Sequence, residues 1–303
     1  MFTTTISEVK SFWNCPTRWH IQYVYPRRSP RAKGTALVAG IVWHEFMENL
    51  LNGSMREPAL KEMQASMQDA IDEAETEGWD RRAKELGEER QKMLAAGELW
   101  KDWLPCQTLA VEKPLELLIP AGELGAKQDI RILGRQDRVI RLTESNKIAH
   151  FQHRTRAASK PVGPYLDSFQ RNPYEGCYWE MLKREYGEEP FGVVISLFRK
   201  LSEKTIRATP EVALQQHPIP ISAEQSMRTV KNVVRTCNTM MLIKGDPDQF
   251  LYDNPDMDLG RYDNSVDPYF DYLSTGDFDL LMDDTQFMNT EERYGDIEVK
   301  ESV

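Results

Sequence analysis

The 303-residue sequence predicts an α/β domain that carries a helical insertion and is followed by an acidic tail. Three observations predict this class. Helical and β-rich stretches alternate along residues 1–244, 40% of the residues are hydrophobic, and no internal repeat or low-complexity linker divides the chain. That hydrophobic fraction is enough for a packed core, so global disorder is excluded.

Helices are expected at the beginning of the chain. Thr5 and Ser7 can cap a first helix, which Pro16 interrupts because proline cannot continue a helical hydrogen-bond ladder. A second helix is expected over Thr35–Leu51. It ends at Asn52-Gly53, a pair that favours the left-handed conformation of a helix C-cap.

The middle of the chain changes from helical to strand periodicity after residue 103. Residues 58–103 are rich in Glu, Ala, Lys and Met and are interpreted as the helical insertion, broken near Gly78 and Gly87. The residues Gly134 to Asp137 are interpreted as a turn between two strands. Short β-rich stretches lie at 110–119, 129–135, 138–142 and 148–153.

The last third of the domain predicts a helix, a strand pair and a final helix. Residues 166–186 have helical composition, residues 191–200 form an apolar strand, and its partner is expected within residues 205–219. Ser222 and Gln225 form a capping-box signature, which opens the final helix.

Charge is distributed unevenly along the chain. The formal net charge is −10, but residues 245–303 carry −14 and residues 1–244 carry +4. Within the body, residues 127–171 hold ten basic and four acidic residues. A basic segment of this kind suits a phosphate backbone, and the alternative is a solvated face with scattered charge.

The acidic tail contains seven Tyr and Phe residues between 252 and 287 besides its aspartates. We expect residues 250–287 to pack partly on the body and the end beyond residue 291 to be disordered. Two alternatives are open: a disordered solubilising segment, and a tail that mimics the charge of DNA and either occupies the basic groove or binds a basic protein partner. The oligomeric state is left open.

Several classes of protein are not expected, because the sequence signals that mark them are absent. The chain has no apolar run of membrane-spanning length and no signal-peptide core at Met1 to Lys10. Its four cysteines are scattered, so a disulfide framework or a cysteine-based zinc site is not expected. We therefore expect a soluble cytoplasmic protein with no membrane partner.

Five short motifs follow one another between Ser7 and Tyr186. They are an aromatic Ser7 to Trp19 segment with Cys15-Pro16, Gly40-x3-His44, Gly134-x2-Asp137, the strand Gln152-His153-Arg154-Thr155, and Gln170-x3-Tyr174. In this order they resemble the PD-(D/E)xK nuclease superfamily, in particular its RecB-like branch, which includes CRISPR adaptation nucleases and many phage exonucleases. The resemblance implies a restriction-endonuclease-like fold, a mixed central sheet flanked by helices.

The resemblance also implies a site. His44, Asp137, Gln152 and Arg154 occupy the catalytic positions, and His44 and Asp137 would be the ligands of a weak Mg²⁺ or Mn²⁺ site. DNA would be the partner. Its expected contacts are Arg135, Arg138, Arg156, Lys160, Gln170, Arg171 and Tyr174.

The sequence departs from the family pattern at two places. Gln152 and Arg154 replace the Glu and Lys of the Glu-x-Lys motif, so a metal-binding carboxylate is lost and a guanidinium replaces an ammonium. His150, His153 or Glu175 are the residues able to compensate. Many relatives also hold an iron–sulfur cluster, but here only Cys15 matches, and residues 267–273 lack the C-terminal cysteines, so no cluster is expected.

These departures leave three functions open. The first is a DNA-binding or DNA-processing protein, of phage or mobile-element type, in which hydrolysis is lost or weakened. The second is an active Mg²⁺- or Mn²⁺-dependent DNA exonuclease. The third is a protein-interaction or inhibitor module that acts through its tail. Without the motif order, His44 reads as a half-buried structural histidine and Asp137 as an ion-paired turn residue.

Overall fold

The computed structural model describes residues 1–14, 16–24, 27–28, 34–170, 173–245 and 288–289. The α-helices described are α1 (Ile6–Asn14), α2 (Pro16–Trp19), α3 (Thr35–Leu51), α4 (Arg56–Thr76), α5 (Asp80–Leu99), α6 (Gly163–Gln170), α7 (Pro173–Tyr186), α8 (Glu203–Ala208), α9 (Pro210–Ala213) and α10 (Ala223–Gly245). The strands described are β1 (Phe2–Thr5), β2 (Arg27–Arg28), β3 (Cys106–Ile119), β4 (Ile130–Leu142), β5 (Ile148–Ala157), β6 (Gly192–Lys200), β7 (Leu214–Pro220) and β8 (Met288–Asn289).

The main sheet is mixed and has six strands. Its order is β1-β4-β5-β6-β7, and β3 pairs with β4 outside that path. The β1–β4 and β5–β6 pairs are parallel, whereas the β4–β5 and β6–β7 pairs are antiparallel. A small second sheet consists of β2 and β8. The predicted α/β class with a mixed, helix-flanked sheet is therefore confirmed.

The chain divides into two compact units. One contains Met1–Ala32, Glu116–Gly134 and Arg228–Val303, and the other contains Lys33–Leu115 and Arg135–Met227. Every predicted catalytic residue belongs to the second unit.

The second unit has a helix layer on each face of β6. On one face, Phe198 belongs to the apolar core of α3, α4 and α5, and its ring centroid lies 4.7 Å from that of Trp43. On the other face, Val193, Ile195 and Leu197 pack with residues of α6 and α7 such as Trp179. Alternate residues of a strand point to opposite faces, so one apolar strand serves both layers.

The first unit contains a fully buried carboxylate. Glu8 on α1 accepts a hydrogen bond from Thr4 Oγ1 at 3.0 Å and another from Trp19 Nε1 at 3.2 Å. The Nζ atom of Lys244, near the end of α10, lies 2.7 Å from Glu8 Oε1. Because a buried charge is costly unless it is paired, this contact stabilises the packing of α1 within its unit.

Capping signals predicted helix ends well. The Thr35–Leu51 helix is confirmed, and Gly53 after it has a positive φ of 95°. The Thr5 hydroxyl caps α1 by accepting a hydrogen bond from the Glu8 amide at 3.0 Å. Ser222 and Gln225 form the reciprocal bonds of a capping box, at 2.9 and 3.1 Å.

Several boundaries differ from the expectation. Gly87 lies inside α5 because one glycine costs a helix only about 1 kcal/mol. Gly134 to Asp137 are part of the continuous strand β4, not a turn. The helix expected over 166–186 is described as α6 and α7, and Pro173 begins the second because proline suits a first helical turn. The expectations for residues 250–287 and beyond 291 fall outside the described residues, apart from β8.

Candidate functional site

The site lies where β4 and β5 stop pairing. Their ladder joins Arg138–Arg141 with Ile148–Phe151, whereas β5 pairs with β6 as far as Ala157. Beyond this point the backbone N–H of His153 donates to Asp137 Oδ2 at 2.8 Å. A side-chain carboxylate thus satisfies a donor that the end of the ladder leaves free.

His44 on α3 reaches the same carboxylate. Its Nδ1 atom lies 3.5 Å from Asp137 Oδ2. Burial lowers the pKa of His44, and the nearby Arg154 lowers it further, against the opposing effect of Asp137. The two predicted metal ligands are therefore close together, and the imidazole is neutral near pH 7.

His153 stands beside them as a buried, neutral imidazole. Its ring centroid lies 6.3 Å from that of His44 and its side chain is 2% exposed. Burial lowers the pKa of His153 to about 3. Neither ring nitrogen has a hydrogen-bond partner among the described residues.

Gln152 and Arg154 point to the face of β5 opposite that of the His153 side chain, and they form a polar network with α7. Gln152 Nε2 donates to both carboxylate oxygens of Glu175, at 3.2 and 3.1 Å, and Arg154 Nη2 donates to Gln152 Oε1 at 2.5 Å. His150 Nε2 lies 2.9 Å from Glu175 Oε2 but is not aligned for a hydrogen bond. Gln152 and Glu175 are nearly inaccessible, 4% and 2% exposed.

The chemistry of the partners fixes the orientation of the Gln152 amide. A guanidinium only donates hydrogen bonds and a carboxylate only accepts them, so the oxygen must face Arg154 and the nitrogen must face Glu175. A divalent cation needs that oxygen, which Arg154 already occupies with a positive charge. The residues present therefore do not fit a carboxylate-based Mg²⁺ or Mn²⁺ site at position 152. Among the described residues, no three His, Cys, Asp or Glu side chains are arranged to hold a metal ion.

Glu112 on β3 is a feature of the site that the sequence did not indicate. Burial raises its pKa to about 7, and the charges of Asp137 and Glu48 add to this effect. Its φ of +47° lies in the left-handed region, which is strained for a residue with a side chain. An acid within a predicted strand is usually solvated, so no sequence signal marks it.

The predicted DNA contacts have different environments. Arg138 is 2% exposed, and its guanidinium makes a bidentate pair with Asp102 at 2.8 and 2.9 Å. The expectation that Arg138 meets DNA is therefore wrong, since a buried, neutralised guanidinium cannot reach a phosphate. Arg135 is 43% exposed and lies 4.0 Å from Glu112. Lys160 is exposed, and Arg156 and Tyr174 are partly buried. The Gln170 side chain and Arg171 lie outside the described residues.

Comparison with known families identifies a superfamily for the chain. A family model described as the PD-(D/E)XK nuclease superfamily matches residues 3–243, about four fifths of the chain. No curated protein matches the sequence. No helix in the described part is long and apolar enough to cross a membrane. The match covers well over half of the chain and includes every residue of the candidate site, so the chain belongs to the PD-(D/E)XK nuclease superfamily.

Proposed function

We propose that this chain is a DNA-binding member of the superfamily in which hydrolysis is lost or severely weakened. The observation that carries the proposal is the hydrogen bond from Arg154 to Gln152 Oε1. It places a permanent positive charge at the position where relatives of the resembled branch would hold a metal-bound carboxylate.

The DNA-binding half of the proposal rests on the family match and on charge. Members of a nuclease superfamily act on nucleic acid, and residues 127–171 retain a net charge of +6. The order of the five motifs supports a place on the RecB-like branch. A role in a phage or mobile-element recombination system follows from that branch alone.

The experiment compares wild type with the double variant Gln152→Glu/Arg154→Lys. Both are incubated with end-labelled single- and double-stranded DNA in Mg²⁺ and in Mn²⁺, and Mn²⁺ binding is measured by calorimetry. We expect wild type neither to cleave DNA nor to bind Mn²⁺ in the calorimeter. The double variant should do both, because it regains a carboxylate ligand and an ammonium.

Asp137→Asn in the double-variant background is the matched control and should abolish the regained cleavage. Cleavage by wild type at a rate similar to that of the double variant would overturn the loss of catalysis. Failure of wild type to bind DNA at low salt would overturn the DNA-binding half.

A second candidate function is an active Mg²⁺- or Mn²⁺-dependent exonuclease. The observation that favours it is Glu175, whose carboxylate lies 3.1 Å from Gln152 Nε2 and restores a negative charge beside the altered position. Under this alternative, wild type cleaves DNA and Glu175→Gln abolishes cleavage while the protein remains folded. Under our proposal, neither wild type nor Glu175→Gln cleaves DNA.

A further inference from the structure

Two arginines lie side by side where β5 and β6 end. Arg156 and Arg199 are register partners in the parallel ladder, so their side chains project from the same face of the sheet on strands about 4.8 Å apart. Arg154 is two residues earlier on that face of β5. The position of Arg199 opposite Arg156 is visible only in the folded chain.

Neither guanidinium is paired with a carboxylate among the described residues. Within the described part of the chain, Arg156, Arg199 and Arg154 form no ion pair, whereas arginines elsewhere in the same unit, such as Arg207 and Arg141, pair with glutamates at 2.6 to 2.9 Å. Glu175, the nearby buried carboxylate, is already bound by Gln152. Adjacent like charges repel each other, so an anion between them would be stabilised.

Neutral groups hold both arginines in place. Arg156 Nη2 donates to the Pro161 carbonyl at 2.9 Å, and its guanidinium lies 4.2 Å from the centroid of the Tyr165 ring. Arg199 Nη2 donates to the Ala158 carbonyl at 3.5 Å. Both Nε atoms are shielded from solvent and lack a hydrogen-bond partner among the described residues. The two side chains are therefore oriented in advance. Both residues are partly exposed, so the donors available to an anion are the remaining N–H groups of the Nη atoms, not the shielded Nε atoms.

We propose that Arg156 and Arg199 form a phosphate-binding subsite that takes one backbone phosphate of a nucleic acid next to the candidate site. Guanidinium groups suit phosphate oxygens because they donate paired, charge-assisted hydrogen bonds. Lys160, exposed in the loop after β5, adds positive charge beside the subsite. The proposal rests on the DNA-binding function proposed above and assigns it a contact point.

The first arm of the test is a salt titration with a fluorescent single-stranded oligonucleotide. Arg156→Gln/Arg199→Gln should bind about tenfold more weakly than wild type at low salt, and the slope of log affinity against log salt should fall by about 1. Arg207→Gln is the matched control and should change neither quantity, since its charge is already paired with Glu98 and Glu203.

The second arm uses wild type alone and does not depend on how the variants fold. Inorganic phosphate is titrated while the Nε–Hε signals of individual arginines are followed by NMR. Those of Arg156 and Arg199 should shift together, and that of Arg207 should not.

The outcomes separate this subsite from the proposed function. If wild type binds DNA and the double variant binds equally with the same slope, the subsite is wrong and DNA binding stands. If wild type fails to bind DNA but phosphate shifts the two signals, the site takes free phosphate and the DNA-binding function is wrong. If DNA does not bind and phosphate shifts neither signal, both are overturned.

Discussion

At position 152 an amide lies between a buried carboxylate and a guanidinium, and it satisfies both. Gln152→Glu would place two carboxylates about 3 Å apart. We expect this variant to lose about 2 kcal/mol of unfolding free energy at pH 8 in the absence of metal, because one of two adjacent buried carboxylates must take up a proton or remain repelled.

The exchange variant Gln152→Glu/Glu175→Gln should recover most of that loss, since it again contains one carboxylate and one amide. Urea unfolding of the three proteins measures the difference. If the single and exchanged variants are equally unstable, the contact between Gln152 and Glu175 is not what stabilises this site.

Glu112 predicts a pH dependence. The usual pKa of 4.5 applies to the unfolded chain and the folded value is about 7, so the folded protein holds this proton more tightly. Its contribution to the free energy of unfolding is therefore fully present below about pH 4.5 and is lost as the pH rises towards 7. Glu112→Gln should remove this loss, on the order of 2 kcal/mol between pH 5 and pH 8.

Urea unfolding of wild type and Glu112→Gln at both pH values measures this difference. Glu144→Gln, at an exposed position, is the control and should follow wild type. A wild-type pH profile that Glu112→Gln leaves unchanged would show that another group is responsible.

Among the helices, α5 contains two glycines with opposite surroundings. A Cβ at Gly87 would meet nothing within 4 Å, whereas a Cβ at Gly97 would lie 2.8 Å from Leu60 Cδ2 and 3.0 Å from Phe46 Cζ. Gly87→Ala should stabilise the protein by up to about 1 kcal/mol, because alanine is the better helix former. Gly97→Ala should destabilise it by about 1 to 2 kcal/mol through overpacking.

Thermal unfolding of the two variants and of wild type measures the direction of each stability change directly. Equal stabilisation by both substitutions would mean that α4 and α3 do not pack closely on α5 at Gly97.

Elements with local end signals were predictable, and elements defined by distant partners were not. The capping residues of α1, α3 and α10 act within a few positions, so the sequence contains the complete signal. The sequence predicts two strands in place of β4 because Gly134 resembles a turn residue, although it is buried within the strand. The sequence predicts a DNA contact at Arg138 because it lies in a basic segment, and no local signal indicates its partner Asp102, which lies 36 residues earlier in the chain.

The candidate site was predictable in part for the same reason. Motif order indicated His44 and Asp137, and the structure brings them within 3.5 Å of each other. The bonds of Gln152 to Glu175 join residues 23 positions apart on a strand and a helix, so periodicity gives no sign of them. The strained backbone of Glu112 likewise depends on tertiary packing, which composition does not encode.

For the whole molecule, the tail charge predicts a salt-sensitive effect on binding. A variant of the 303-residue chain whose seventeen acidic tail residues are changed to the corresponding amides loses the negative charge that repels phosphate. It should bind a single-stranded oligonucleotide on the order of fivefold more tightly than wild type at low salt, and the difference should vanish near 0.5 M salt, where the Debye length is only a few ångströms.

Fluorescence anisotropy titrations over a salt series measure this effect. A difference that persists at high salt would indicate a direct contact of the tail, by packing or by binding a partner, in place of general repulsion.

Because the β4–β5 ladder ends early, Asp137 stabilises the edge of β5 in addition to any chemical role. Its carboxylate is the acceptor for the His153 amide. The β4–β5 ladder ends at Arg138 and Phe151, so it offers the His153 amide no backbone carbonyl in place of this carboxylate. Asp137→Ala should therefore speed hydrogen–deuterium exchange at the His153 amide, whereas Asp137→Asn keeps an acceptor oxygen and should preserve protection. A loss of function in Asp137→Ala then combines the opened strand edge with the lost charge, whereas Asp137→Asn removes the charge alone.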